Sequence, residues 1–316
     1  MDPKTLLHPD VAPSVELIDP RLENINRDNL SEMREIVAGL HAQFREQAGD
    51  NSQLLDQSIR EINGEDGTIK LFISQAKNRP DNGPAMLWIH GGGYISGSAD
   101  EVAPETLAHQ CGATFVSVEY RLAPEHPFPA GLHDCHDALL WLHRNAAELG
   151  VDPQRLSIGG PSAGAGMAAG LALFNRDRKG PKLNFQYLVY PMLDNLHDTV
   201  SGHQDGHPLW NRQTSFNAWD MYLDGTPGEQ ASPYAAAARA EDFSSLPPAY
   251  IVVGGQDLFR DECIAYAQRL MAAGVTTELA VIPGLYHAAE SICPDAAVSV
   301  RMQNSMLLAL KNGMGL

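Results

Sequence analysis

Ser157-Ile158-Gly159-Gly160-Pro161-Ser162-Ala163-Gly164-Ala165-Gly166 is the stretch from which the rest of the chain can be read. Leu156 to Ile158 is an apolar run that reads as a buried strand, and the small residues from Ala163 to Leu173 open a helix. Ser162 falls at the joint, inside the pattern G-x-S-x-G. A strand that turns this sharply into a helix leaves its central side chain standing proud of the sheet. Gly160 and Gly164 are needed because larger side chains would collide as the helix doubles back. The pentapeptide alone leaves two readings open: Ser162 as an exposed nucleophile, or Ser162 as a helix N-cap.

Outward from the joint, strands and helices alternate. Upstream lie a helix over 132–148, a Pro-rich loop over 122–129, a strand over 113–119 and a helix over 101–110. Before them comes a buried strand, 84–90, ending in Gly91-Gly92-Gly93. Two strand-like runs, 56–62 and 68–74, flank Gly64-Glu65-Asp66-Gly67 and read as a hairpin. Leu30, Met33, Ile36, Val37, Leu40 and Phe44 recur at helical spacing, so 29–47 is an amphipathic helix outside the main alternation. Downstream, a strand over 185–191 is followed by a polar stretch, 192–247, with a short helix over 215–223. That stretch is too long for an ordinary connection in a compact domain and reads as an insertion. Alternation resumes with strand 249–253, helix 262–273, strand 277–282 and helix 294–310. An antiparallel start followed by such alternation predicts an α/β fold with a mostly parallel central sheet and helices on both faces. In such sheets the functional loops lie at the carboxyl ends of the strands.

Composition narrows the function classes. A formal net charge of −17 opposes binding to nucleic acid or an anionic membrane. No apolar run approaches the ~18–20 residues of a membrane span. The N-terminus shows no apolar signal segment, so the cytoplasm is the expected compartment. The four cysteines (Cys111, Cys135, Cys263, Cys293) form no CxxC pair and read as packed free thiols.

The chemistry gathers at strand ends. Gly91-Gly92-Gly93 exposes successive backbone N–H groups that can face one developing negative charge. A flexible connection is the plain alternative; a dinucleotide loop is a poorer one, because Gly-Gly-Gly-Tyr is not GxGxxG. Asp257 follows the strand ending Val253-Gly254-Gly255, and His287 follows the strand ending Ile282-Pro283. The order Ser, Asp, His is the one a serine hydrolase on this sheet requires. In that reading His287 takes the proton of Ser162 and Asp257 orients the ring. Asp261 and Glu262 compete with Asp257 but fall in a first helical turn, where acids favour the macrodipole; Asp194 is a further competitor. His133, His136 and His143 share a helix, and His197, His203 and His207 lie in the insertion, without the carboxylate pattern of a zinc site. No metal and no cofactor are expected.

His90-Gly91-Gly92-Gly93, the run Tyr120-Arg121-Leu122-Ala123-Pro124-Glu125-His126-Pro127-Phe128-Pro129-Ala130 and the G-x-S-A-G elbow resemble the bacterial hormone-sensitive-lipase-like carboxylesterases. Ser232-Pro233, Leu246-Pro247-Pro248, the stretch Asp257 to Glu262 and the turn Gly284 to His287 extend the likeness from about residue 54 to the C-terminus. The resemblance implies an α/β-hydrolase fold. It implies Ser162, Asp257 and His287 as catalytic triad, and the N–H groups of Gly92, Gly93 and Ala163 as oxyanion donors, with Gly91 as a further candidate. It implies a helical cap built from 1–50 and 192–247 over a catalytic domain of 51–191 and 248–316. Trp210, Phe216, Trp219 and Tyr222 are candidates for the substrate pocket, although aromatics at this spacing also suit a cap core. The expected substrate is a small ester with a short to medium acyl chain; amide, carbamate or lactone cleavage and a non-catalytic receptor are alternatives. The assembly is open, a homodimer among the options. Three departures from the family pattern stand out: Pro161 in place of an acid, Leu258 after Asp257, and Ala288-Ala289 after His287.

Overall fold

A computed structural model describes residues 3–316. In chain order its elements are α1 (Leu30–Ala48), β1 (Leu55–Gly64), β2 (Gly67–Ala76), β3 (Gly83–Trp88), α2 (Val102–Cys111), β4 (Thr114–Glu119), α3 (Ala130–Arg144), β5 (Val151–Pro161) and α4 (Ala163–Asp177). Then follow β6 (Phe185–Val189), α5 (Arg212–Leu223), β7 (Ala249–Gly254), α6 (Arg260–Ala272), β8 (Thr277–Ile282), α7 (Ala289–Ile292) and α8 (Ala297–Met314). Short 3₁₀ turns precede α1 and punctuate the insertion.

The eight strands form one sheet in the order β1-β2-β4-β3-β5-β6-β7-β8. β2 runs antiparallel to both neighbours, and every pairing from β4 through to β8 is parallel. The predicted hairpin is β1–β2, closed where Gly64 pairs with Gly67. Every residue of β3, β6 and β7 is buried, as expected for parallel strands covered on both faces. The four cysteines are unpaired, with Cys111, Cys135 and Cys263 in the core.

Strand order does the positioning. β3 pairs with β5, so the loop after β3 and the turn after β5 emerge side by side. β7 pairs with β8, so the residues following those two strands also emerge together. The chain order reverses around β3, which opens a crevice at the carboxyl ends.

Several sequence expectations shift. The last helix starts at Ala297 rather than 294, because Ala296 is extended and a separate short helix, α7, follows His287. α3 ends at Arg144, four residues short of the expected 148. In α1 only the first half of the apolar stripe is covered: Leu30 and Met33 are buried, whereas Leu40 and Phe44 are exposed.

The two segments outside the sheet are tied together and to its edge loops. Asn211 Nδ2 and Thr214 Oγ1 both donate to the Glu23 carbonyl, and Asn217 Nδ2 donates to that of Ile25 at 2.8 Å. Arg34 of α1 forms a paired contact with Glu125 and donates to the Ile95 carbonyl at 2.7 Å. His207 of the insertion sets its two ring nitrogens against the carbonyls of Gln256 and Ser201, at 2.9 and 3.0 Å.

Candidate active site

Ser162 sits between β5 and α4 with φ 55° and ψ −122°, a conformation that L residues adopt only when the surroundings enforce it. The enforcement is steric. A Cβ on Gly160 would run into the Ile89 carbonyl, and one on Gly164 into the carbonyls of Ile89 and His90. The helix therefore presses against the end of β3, the neighbouring strand, as well as doubling back on its own. Pro161 does not prevent the turn; it pairs with Val189 as the last residue of β5.

Ser162 holds the N-cap position of α4, yet its side chain makes no capping bond. Its Oγ lies instead 2.9 Å from His287 Nε2. His287 Nδ1 lies 2.8 Å from Asp257 Oδ2, and Asp257 Oδ1 accepts the Phe259 N–H at 2.9 Å. Asp257 is fully buried, and Ser162 and His287 nearly so. The imidazole is wedged by the edge of Tyr190 (centroids 4.7 Å apart) and by Phe259 at a right angle (5.2 Å). The chain Ser162–His287–Asp257 is thus contiguous, and the capping reading of Ser162 falls away.

The competing acids are employed elsewhere. Asp261 is paired with Arg260 and accepts the Ser201 N–H. Asp194 is paired with Arg239. Glu262 accepts the N–H of Leu193 and lies against His197, and burial lifts its carboxyl well above the usual carboxylate range. His197 is buried between Phe216 and Phe259, and that burial pushes its imidazole down to about 4. His133 and His136 both pack their rings on Phe174.

Gly92 and Gly93 have φ of 108° and 63°. A Cβ on Gly92 would meet the Ser96 carbonyl, and one on Gly93 the ring of Trp210. Only glycine fits either position. The N–H groups of Gly92, Gly93 and Ala163 donate to no carbonyl among the described residues. Ala163 opens α4, so its N–H also carries the positive end of the helix dipole. These N–H groups follow β3 and β5, two paired strands whose ends emerge side by side.

Above the serine lies a cavity of about 260 Å³. Gly91, Pro161 and Ala288 line it, so two of the departures from the family pattern are wall residues. Of the four aromatic candidates Trp210 lines the cavity; Phe216, Trp219 and Tyr222 do not. Tyr222 stacks on Tyr94 at 4.0 Å and Trp219 packs beside both, while Phe216 lies against His197. Trp219 and Tyr222 form core between the insertion and the loop after β3, while half-buried Phe216 packs within the insertion. The sequence reading missed Leu22, Ile25, Met33 and Val37 from the N-terminal segment, which close the cavity from above. The periodicity of α1 marked Met33 and Val37 as apolar, but not what they face.

Comparison with known proteins agrees with the fold. Residues 86–291 match a family model described as the alpha/beta hydrolase fold. The chain belongs to the α/β-hydrolase-fold family. Within it, the chain is 42% identical over 215 residues to carboxylesterase NlhH of Mycobacterium tuberculosis, a match that spans 66% of each protein. It is 34% identical over 261 residues to esterase LipI of the same species, covering 79% of this chain and 80% of that one. The solved structure of a bacterial heroin esterase superposes with a TM-score of 0.92 at 35% identity over 98% of both chains. The hormone-sensitive-lipase-like membership expected from the motifs is borne out. No helix among the described residues is long and apolar enough to cross a membrane.

Proposed function

We propose that this α/β hydrolase is a serine carboxylesterase acting on small esters, with Ser162 as nucleophile, His287 as general base and then acid, and Asp257 as the group that orients the imidazole. The observation that carries the reading is the unbroken hydrogen-bonded chain from Ser162 Oγ through His287 to Asp257 on the floor of a cavity. His287 removes the Ser162 proton as Oγ attacks the ester carbonyl. The tetrahedral oxyanion is held by N–H groups of Gly92, Gly93 and Ala163. His287 then protonates the departing alcohol, and water repeats the sequence to release the acid. The esterase names of the relatives and of the superposed structure support the bond type.

The N-terminal segment and the 192–247 insertion form the cap in this reading, because both contribute cavity walls and are pinned to each other. Enclosure by these walls keeps bulk water away from the reacting groups while leaving room for the one water that hydrolyses the acyl-enzyme. The unpaired cysteines suit a reducing compartment such as the cytoplasm.

A cavity of about 260 Å³ lies at the small end of ligand pockets. Across p-nitrophenyl esters, kcat/KM is expected to be highest for short chains and to fall by at least about tenfold on going to dodecanoate, once the pocket is full. Undiminished turnover of long-chain emulsions would count against the enclosed cap.

A further inference from the structure

The catalytic cavity is unequal at its two ends. Leu22, Ile25 and Trp210 make one wall apolar, whereas His41, Ser96 and Glu101 bring polar groups to another. Glu101 stands just before α2 in extended backbone and makes no capping bond. One carboxylate oxygen, Oε1, accepts the Trp88 indole N–H at the end of β3; Oε2 has no partner among the described residues. The same side chain also lines a second cavity of about 590 Å³, together with Arg45, Asp100 and Glu105. Glu101 thus borders both the catalytic cavity and a larger cleft along the antiparallel part of the sheet.

The charges around it do not balance. Arg45 is the neighbouring cation, and it is already held by Asp100 at 2.7 Å and by Glu105. Glu119 adds a further carboxylate, fixed by Ser98 Oγ and the Ala99 N–H. Burial pushes the His41 imidazole down, which disfavours a counter-charge there. The whole chain carries −17, which draws cations towards such a crevice.

We propose that Glu101 is a specificity-determining residue that favours esters carrying a cationic ammonium group, the cation lodging against the free carboxylate oxygen while Ser162 attacks the ester. The inference deepens the esterase reading and rests on it. Burial, against the opposing Trp88 hydrogen bond, holds the Glu101 carboxyl up at about 7. An arriving cation stabilises the ionised form and supplies the missing counter-ion.

The test uses two isosteric pairs, which distinguish a cation on the alcohol from one on the acyl group. One pair is choline acetate and the acetate in which a tert-butyl group replaces trimethylammonium. The other is the methyl ester of trimethylammonio-butanoate and its tert-butyl isostere. In wild type, kcat/KM is expected to favour the cation in at least one pair. Glu101→Gln, which keeps the shape and an oxygen for Trp88, is expected to cut that preference about tenfold with the neutral ester held within about twofold. Glu101→Asp, which keeps the charge, should retain part of the preference. An unchanged ratio in Glu101→Gln, or an equal fall for the neutral ester, overturns the proposal. So does a wild type that prefers the neutral member of both pairs while hydrolysing p-nitrophenyl acetate. Failure to hydrolyse any of these esters would instead overturn the esterase reading itself.

Discussion

Ser162→Ala is expected to lower kcat on a p-nitrophenyl ester by about a million-fold while leaving the fold intact, the scale seen when the nucleophile of a triad is removed. The size follows from the geometry. Oγ is the only atom of the serine that the proposed mechanism uses, and it lies 2.9 Å from the base. The residual rate belongs to oxyanion donors and cavity, which the substitution leaves in place. The fold should survive because Oγ caps nothing at the start of α4 and alanine inherits the same backbone conformation. A thermal melt should give a Tm no lower than wild type, since relief of a strained functional polar group commonly stabilises. Turnover above roughly one part in a hundred, with the Tm preserved, would place the nucleophile elsewhere.

Local patterns were legible in the sequence, and contacts between distant segments were not. The elbow was readable because its glycines answer to carbonyls of the adjacent strand, and only glycine satisfies both positions. Asp257 and His287 were readable because each follows an apolar strand run, and adjacent parallel strands deliver their ends to one place. The cavity roof was not readable. Met33 and Val37 lie on the same helical stripe as Leu40 and Phe44, yet only the first part of that stripe meets the cavity. Trp219 and Tyr222 had the right chemistry for a pocket, but Tyr94, from the distant loop after β3, takes their faces. Glu101 gave no signal at all. A single glutamate before a helix reads as a favourable dipole contact, and its place beside two cavities exists only once α2 is laid over the sheet.

Asp257→Asn is expected to cost about ten-thousand-fold in kcat, through the tautomer of His287 rather than through loss of contact. The surrounding hydrogen bonds fix which way the new amide must point. Oδ1 of Asp257 accepts the Phe259 N–H, a bond that an amide nitrogen is unable to make. The asparagine oxygen must therefore stay there, leaving its NH₂ facing His287 Nδ1 across the former 2.8 Å contact. A donor in that place needs Nδ1 as acceptor, so the ring proton moves to Nε2, the atom that has to take the proton from Ser162. Catalysis is then blocked with every side chain still in position. Asp261→Asn makes the contrast. Its carboxylate serves Arg260 and the Ser201 N–H and does not touch His287, so kcat should stay within about tenfold. Steady-state kinetics on both variants, with melts to confirm folding, gives the ranking. If Asp261→Asn proved the more damaging, the acid would belong one helical turn further on, and the orienting role assigned to Asp257 would be wrong.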